Sequence, residues 1–350
     1  MRIIILLLII FYYPSAVFAG GGPAPVFPPG HASVVSVSVS DTQSSLGLNA
    51  AALQNAYNLQ TFTMINGLTY DCSVFNAKGI CISPGSRYTT SNGTSSDTTG
   101  VLLIGAYKVN NTIRLGAWVD KSLSTNTQAG VNLSTSNPFY GVFGVWSEKA
   151  DGTGFEARVA AASGNNNMTI TRMATGTSEA GVGTTGLNNQ AISGILKYGF
   201  AVAPNWIASP YAGVRYIAIK AGTYTEAPSS AVTTPLTYDA VSHSAATALA
   251  GVRLMTKITP VTTLQANAGF EQDLNNSGNL YNTTDATGNI SGLNSTVFNT
   301  NIQKTRPAAS VGAYYDIEKT QRIGIDTYYR QEAFQTTPAM TVLVTYQAGF

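Results

Sequence analysis

From Ile80 to Phe350 apolar and polar residues alternate with a period of two, as in strands that are apolar on one face. In "TIRLGAWVD", Ile113, Leu115, Ala117 and Val119 oppose Arg114, Gly116, Trp118 and Asp120. In "TTLQANAGFE", Leu264, Ala266, Ala268 and Phe270 oppose Gln265, Asn267, Gly269 and Glu271. The same division sets Ala309, Val311, Ala313, Tyr315 and Ile317 against Ser310, Gly312, Tyr314 and Asp316. It also sets Ile323, Ile325, Thr327 and Tyr329 against Arg322, Gly324, Asp326, Tyr328 and Arg330. Twelve strands follow from this pattern, starting near Ile80, Thr99, Thr112, Pro138, Gly154, Gly186, Trp206, Ser242, Val261, Pro307, Gln321 and Pro338. The fourth, "PFYGVFGVWS", alternates poorly, with apolar residues on both faces.

The connections sort by parity. Those after even strands are short ("VNNT", "KADGT", "VAPN", "KITP", "EKT"), and those after odd strands are mostly long and rich in Asn, Ser, Thr and Gly. The final connection, "QTTP", is the exception. Short turns on one rim and long polar loops on the other characterise an outer-membrane barrel, and a soluble sandwich has no reason to sort its loops this way. The expected fold is therefore all-β: a twelve-stranded antiparallel transmembrane β-barrel spanning residues 69–350, with the last strand pairing to the first to remove the sheet edge.

Upstream, the periodicity changes. In "DTQSSLGLNAAALQNAYNLQTFTMINGL", Leu46, Ala50, Leu53, Tyr57 and Met64 recur at helical spacing, predicting an α-helix over 42–68 with Asp41 or Thr42 as cap. Its other face is Asn, Gln and Ser without Lys, Arg or Glu, which suits a confined, partly wet place in or at the lumen. Residues 20–41 begin as a Pro/Gly-rich linker, "GGGPAPVFPPGH", read as linker or residual passenger. Residues 1–19 read as a signal peptide: Arg2, the apolar run Ile3 to Phe11, then Val17 and Ala19 at the small-residue positions before Gly20. That run is shorter than the ~20 residues of a helical span.

Composition agrees. Charged residues make up 10% of the chain, against about 25% in ordinary soluble proteins. The net charge of +2 and the absence of a Lys/Arg cluster give no footprint for nucleic acid. If apolar faces meet lipid, charge belongs inside, because Lys or Arg on the lipid face at mid-membrane costs ~2–4 kcal/mol. The inward set comprises Lys108, Arg114, Arg158, Lys197, Arg215, Arg253, Lys257, Arg322 and Arg330, partly balanced by Asp120, Glu156, Glu271, Asp316 and Asp326. It reads as a structural network or, given an open lumen, as the wall of an anion-leaning diffusion channel. Tyr107, Phe139, Trp206, Tyr315, Tyr329 and Phe350, near strand ends, suit interfacial girdles.

The two cysteines, Cys72 and Cys81, flank "NAKG", which can turn the chain back so that the thiols meet. An oxidising periplasm favours a disulfide there, pinning the junction between helix and first strand. His31 and His243 lie too far away in sequence for a metal site, and no cofactor is expected. A lipolytic barrel enzyme needs a nucleophile and a base; no G-x-S-x-G elbow occurs, so His243 reads as a polar rim residue and no catalytic role is assigned.

Taken in order, the signal peptide, linker, helix leading into strand one, twelve strands and C-terminal aromatic resemble the translocator β-domain of autotransporters, the type V secretion family. "RLGAWV", "SPYAGVRY", "ALAGVRL" and "TVLVTYQAGF" are the pieces that carry the likeness. The resemblance implies a monomeric barrel in the outer membrane of a Gram-negative bacterium, with the lipid bilayer as its environment and the segment before the helix carried to the surface. About twenty residues separate the expected cleavage site from the helix. That leaves no room for a large passenger and points to display of a short segment, a helix acting as plug, or a role for the surface loops. Val342, Val344, Tyr346, Ala348 and Phe350 resemble the signal read by the barrel-assembly machinery. The helix has no Asn pair of the kind at which some autotransporters cleave themselves.

Overall fold

The computed structural model describes residues 37–91, 96–285, 287–298, 302–331, 333 and 337–350. The expected signal peptide and residues 20–36 of the expected linker lie outside these residues.

One helix, α1 (Val39–Gly67), precedes twelve long strands. These are β1 (Ile80–Ser91), β2 (Ser96–Lys108), β3 (Ile113–Asn126), β4 (Phe139–Ser147), β5 (Gly154–Thr171), β6 (Val182–Ala203), β7 (Trp206–Ala221), β8 (Val241–Thr259), β9 (Thr262–Gly278), β10 (Thr305–Glu318), β11 (Gln321–Gln331) and β12 (Pro338–Gly349). Each pairs antiparallel with its neighbours in sequence, and β12 closes on β1 in register Cys81 with Gly349 and Tyr88 with Val342. The sheet thus closes on itself as a barrel without a free edge, which a bilayer core requires. Strand starts fall within four residues of those expected from alternation; β6 departs furthest, beginning at Val182 rather than Gly186.

The alternation translates directly into faces. Leu103, Leu115, Val142, Val214, Val311 and Ile325 are among the exposed outward residues, a belt of apolar surface far beyond what water tolerates. β4 alternates after all: Tyr140 and Val142 point outward while Phe139 and Phe143 point in and are buried. Its two apolar faces meet two different solvents, lipid outside and an apolar cluster beside α1 inside. This corrects the placement of Phe139, which is 1% exposed and fills the interior instead of joining a girdle. Tyr107, Trp206, Tyr315 and Phe350 are exposed near strand ends.

Short turns gather at one rim and long loops at the other. The long loops carry their own structure: Val131–Leu133 pairs with the upper part of β5, and Tyr224–Thr225, Leu236–Tyr238 and Thr283–Asp285 form a three-stranded sheet. Ser38 caps α1, its hydroxyl accepting from the Asp41 N–H at 3.3 Å. The helix ends where Gly67 passes under Trp118, whose ring occupies the space that a Cβ at Gly67 would need.

Candidate functional site

Nearly every residue of α1 from Asn49 to Gly67 is buried, polar and apolar alike. A surface helix buries one stripe; burial all round means that protein surrounds it. The upper half of α1, through Leu46, Leu53 and Tyr57, packs into a cluster with Ile170, Leu236, Tyr281 and Phe298 of the strand ends and long loops. The lower half, through Met64 and Ile65, packs against Ile104, Phe143 and Leu343 of the barrel wall. α1 therefore runs through the lumen, its N-terminus at the long-loop rim and its C-terminus at the short-turn rim.

Several buried amides of α1 are matched to partners, since an unpaired buried amide is costly, although Thr42 Oγ1, Asn49 Oδ1 and Thr61 Oγ1 have none among the described residues. Asn49 Nδ2 donates to Tyr281 Oη at 2.9 Å, and Asn66 Nδ2 donates to Thr341 Oγ1 at 2.8 Å. Gln60 Oε1 accepts from Asn166 Nδ2 at 3.0 Å, and Asn55 donates to Gln128. Amides pair with wall and loop groups without the desolvation penalty of charge, which accounts for a helix almost free of ionisable residues.

The long loops grip the upper end. Thr177 donates to Asp41 Oδ2 from its backbone N–H at 2.9 Å and its hydroxyl at 3.0 Å. These bonds, the backbone one first, hold the Asp41 carboxyl below its ordinary range. Gln43 and Asn294 exchange two bonds, 3.1 and 2.8 Å, and Ser45 donates to the Met173 carbonyl. Above them Arg172 meets Glu226 through two bonds of 2.7 and 2.8 Å, and Glu226 also accepts from Tyr238 Oη and the Leu236 N–H. Tyr224 and Tyr238 stack at 4.4 Å between centroids. Burial opposes the charge of Glu179, yet donors from Thr233 and Thr234 hold its carboxyl below the usual range. Together these contacts make the loops a packed cap over the lumen.

Below the cap, the inward charges pair across the wall. Arg215 forms an ion pair with Glu271, which also lies 3.9 Å from Arg306 and 3.9 Å from Arg330. Arg306 grips Asp273 at 2.6 Å. Arg87 meets Asp120 at 2.7 Å, and Tyr70 Oη donates to the same oxygen at 2.7 Å. Nearer the short turns, Lys197 pairs with Glu156 at 2.8 Å and Arg322 with Asp316 at 2.6 Å. Asp71 receives Arg114 at 2.7 Å and Arg158 at 3.5 Å. Asp326 is held by Tyr314 and Gln265, and Arg253 donates to Gln265. Lys108 is half-buried beside Arg114, whereas Lys257 stands exposed at the short-turn rim.

Arg87, Asp273, Arg306, Arg172 and Glu226 escaped sequence reasoning. Arg172, Glu226 and Arg306 fell in stretches read as loops, and Arg87 follows the strand-breaking "PG" of β1. Parity with Ser83 and Thr89 is the signal that assigns Arg87 inward.

Beside the lower half of α1 a cavity of about 340 Å³ reaches towards the short-turn rim. Its wall includes Arg158, Lys197, Arg215, Arg253, Arg322 and Arg330, against Asp71, Glu156, Glu271 and Asp326. At the same rim Cys72 and Cys81 are joined by a disulfide with Cα atoms 5.9 Å apart. The bridge ties the segment after α1 to β1. Ser73 N–H donates to Gln347 of β12 at 3.1 Å. His243 is buried in an aromatic group with Tyr57 and Phe298, 5.8 and 5.2 Å away between ring centroids.

On β12 Val344 and Tyr346 are exposed and Val342 is half-exposed, and Phe350, the residue after the strand, is exposed. Ala348 pairs with Ile82, which faces outward, although its small side chain retains only 9% exposure.

A family model, that of the autotransporter β-domain, matches residues 85–329. The structure is similar to the translocator domain of autotransporter NalP from Neisseria meningitidis, with a TM-score of 0.56 at 15% identity, covering 91% of this chain and 100% of that one. It is also similar to the β domain of the Bordetella autotransporter BrkA, with a TM-score of 0.50 at 13% identity, covering 79% and 100%. No curated protein matches the chain by sequence. At these identities the two structures speak for the fold alone.

Proposed function

Because the chain belongs to the autotransporter β-domain family, a transport unit of the Gram-negative outer membrane, we propose that it carries the segment preceding α1 to the cell surface. The observation behind this reading is the path of α1, which enters at the short-turn rim and delivers Ser38 to the long-loop rim, where its N–H donates to Thr177 Oγ1 at 3.2 Å. In an outer-membrane barrel short turns face the periplasm and long loops the exterior. Residues 1–19 act as the export signal, and residues 20–38 form the displayed segment or the stem of one. The barrel acts as a monomer and as a transport unit with no catalytic residue of its own. An epitope tag placed after Gly22 tests this: external protease removes it from intact cells if the reading holds. Removal only after permeabilisation of the outer membrane contradicts it.

The outward residues Val342, Val344, Tyr346, Ala348 and Phe350 are the feature of β12 that the assembly machinery reads. Phe350→Ala lowers the level of barrel in the outer membrane, and an unchanged level counts against that role. The rival reading, an anion-leaning diffusion channel, finds its support in the basic wall of the lower lumen and its obstacle in α1 and the loop cap. Deleting α1 raises single-channel conductance in a planar bilayer if the helix is the obstruction; an unchanged trace argues against it.

A further inference from the structure

Among the described arginines, Arg253 alone has no carboxylate within 4.0 Å. The others obey the rule that a charge withdrawn from water is paired. Arg253 also borders the cavity beside the lower half of α1. From these two observations together we infer that this cavity is a binding site for a small oxyanion, a carboxylate or phosphate entering from the periplasm, with Arg253 as its principal contact.

The surroundings of Arg253 leave its guanidinium without a carboxylate in direct contact. Asp326 stands nearby, but Gln265 is interposed, its carbonyl accepting from Arg253 and its amide donating to Asp326 Oδ1 at 2.7 Å. Tyr314 Oη donates to the same oxygen at 2.6 Å. Both neutral donors fall on Oδ1, and Asp326 makes no direct ion pair with the guanidinium. Lys197 lies two strands away on β6, with Ser209 and Tyr211 of β7 between, and it too borders the cavity. A guanidinium presents its N–H groups as a planar fork that matches two oxygens of a carboxylate or phosphate. Cationic groups outnumber carboxylates on the wall, and the cavity's extension towards Ser73, Gln347 and Arg322 gives an approach from the short-turn side. The cap closes the opposite approach. The inference does not depend on whether the N-terminal segment is exported.

The full-length barrel in neutral detergent at low ionic strength is titrated calorimetrically with inorganic phosphate and, separately, with succinate. Saturable binding of one equivalent is expected for at least one of them, and the arm that responds identifies the source of the anion. Arg253→Gln weakens it by roughly tenfold or more, the scale of a hydrogen bond to a charged group. Arg253→Lys keeps part of the affinity, and Lys319→Gln, at the exposed turn between β10 and β11, leaves it intact. Heat-modifiable migration of each variant on a gel checks that the barrel is folded. Absence of saturable binding of both anions by the wild type overturns the inference, as does equal binding by folded Arg253→Gln.

Discussion

Arg172 and Glu226 meet side by side beneath the surface loops, Nε to Oε1 at 2.7 Å and Nη2 to Oε2 at 2.8 Å, with both side chains 1% exposed. The pair joins the end of β5 to the three-stranded loop sheet, so the cap depends on it. Removing one partner strands a buried charge, which costs about 3–5 kcal/mol. Glu226→Ala is therefore expected to open the cap, read as rapid external proteolysis between Thr171 and Gly181 while the barrel itself stays folded. Replacing both residues with apolar ones of similar volume recovers much of the loss.

Asp41 ties the first turn of α1 to Thr177, and its carboxyl is held below the ordinary value of 3.8, first by the Thr177 backbone bond and then by its hydroxyl. A depressed carboxylate contributes stability that is fully present above its unfolded value and disappears as pH falls through the folded one. Protection of the first-turn amides of α1, their exchange corrected for its intrinsic pH dependence, is therefore expected to be flat near neutrality and to fall on strong acidification. Asp41→Asn shows the faster exchange already at neutral pH and loses the acid dependence.

Gly67 and Trp118 share one space, the indole occupying the place where a Cβ at Gly67 would stand. Gly67→Leu must displace the ring, at about 1–3 kcal/mol for overpacking. The expected signature is a changed Trp118 emission together with a looser lower lumen, read as higher conductance. Unchanged emission would mean that the helix C-terminus lies elsewhere.

The Cys72–Cys81 bridge closes a loop of sequence separation 9. Loop-closure entropy for so short a ring stabilises by roughly 2–3 kcal/mol. Cys72→Ser with Cys81→Ser lowers the temperature at which the barrel converts to its heat-denatured form on a gel, and thiol labelling of the denatured, unreduced wild type finds no free cysteine.

Alternation and loop parity made the barrel legible because each strand meets lipid on one side, where charge is excluded, and protein or water on the other. The reading strained where the inner solvent is also apolar. In β4, Phe139 and Phe143 pack inside, so the polar half of the pattern is missing and Phe139 was expected at a girdle. The lumen's pairing partners were harder to see. Arg172 with Glu226, and Arg306 with Asp273, join residues more than thirty apart in sequence across strands and loops, and parity names a face but not a neighbour. That α1 is gripped from above was likewise unreadable, because its partners Thr177, Asn294 and Tyr281 sit in loops without periodicity.

On the reading proposed above, the chain preceding α1 reaches the cell exterior through this barrel. The most direct test of that reading is membrane-impermeant maleimide labelling of whole cells, comparing Ala32→Cys with Lys149→Cys at the short turn between β4 and β5. Intact cells are expected to label the cysteine at position 32 and not that at 149, and both label once the outer membrane is permeabilised. Labelling of position 32 only after permeabilisation would contradict that reading.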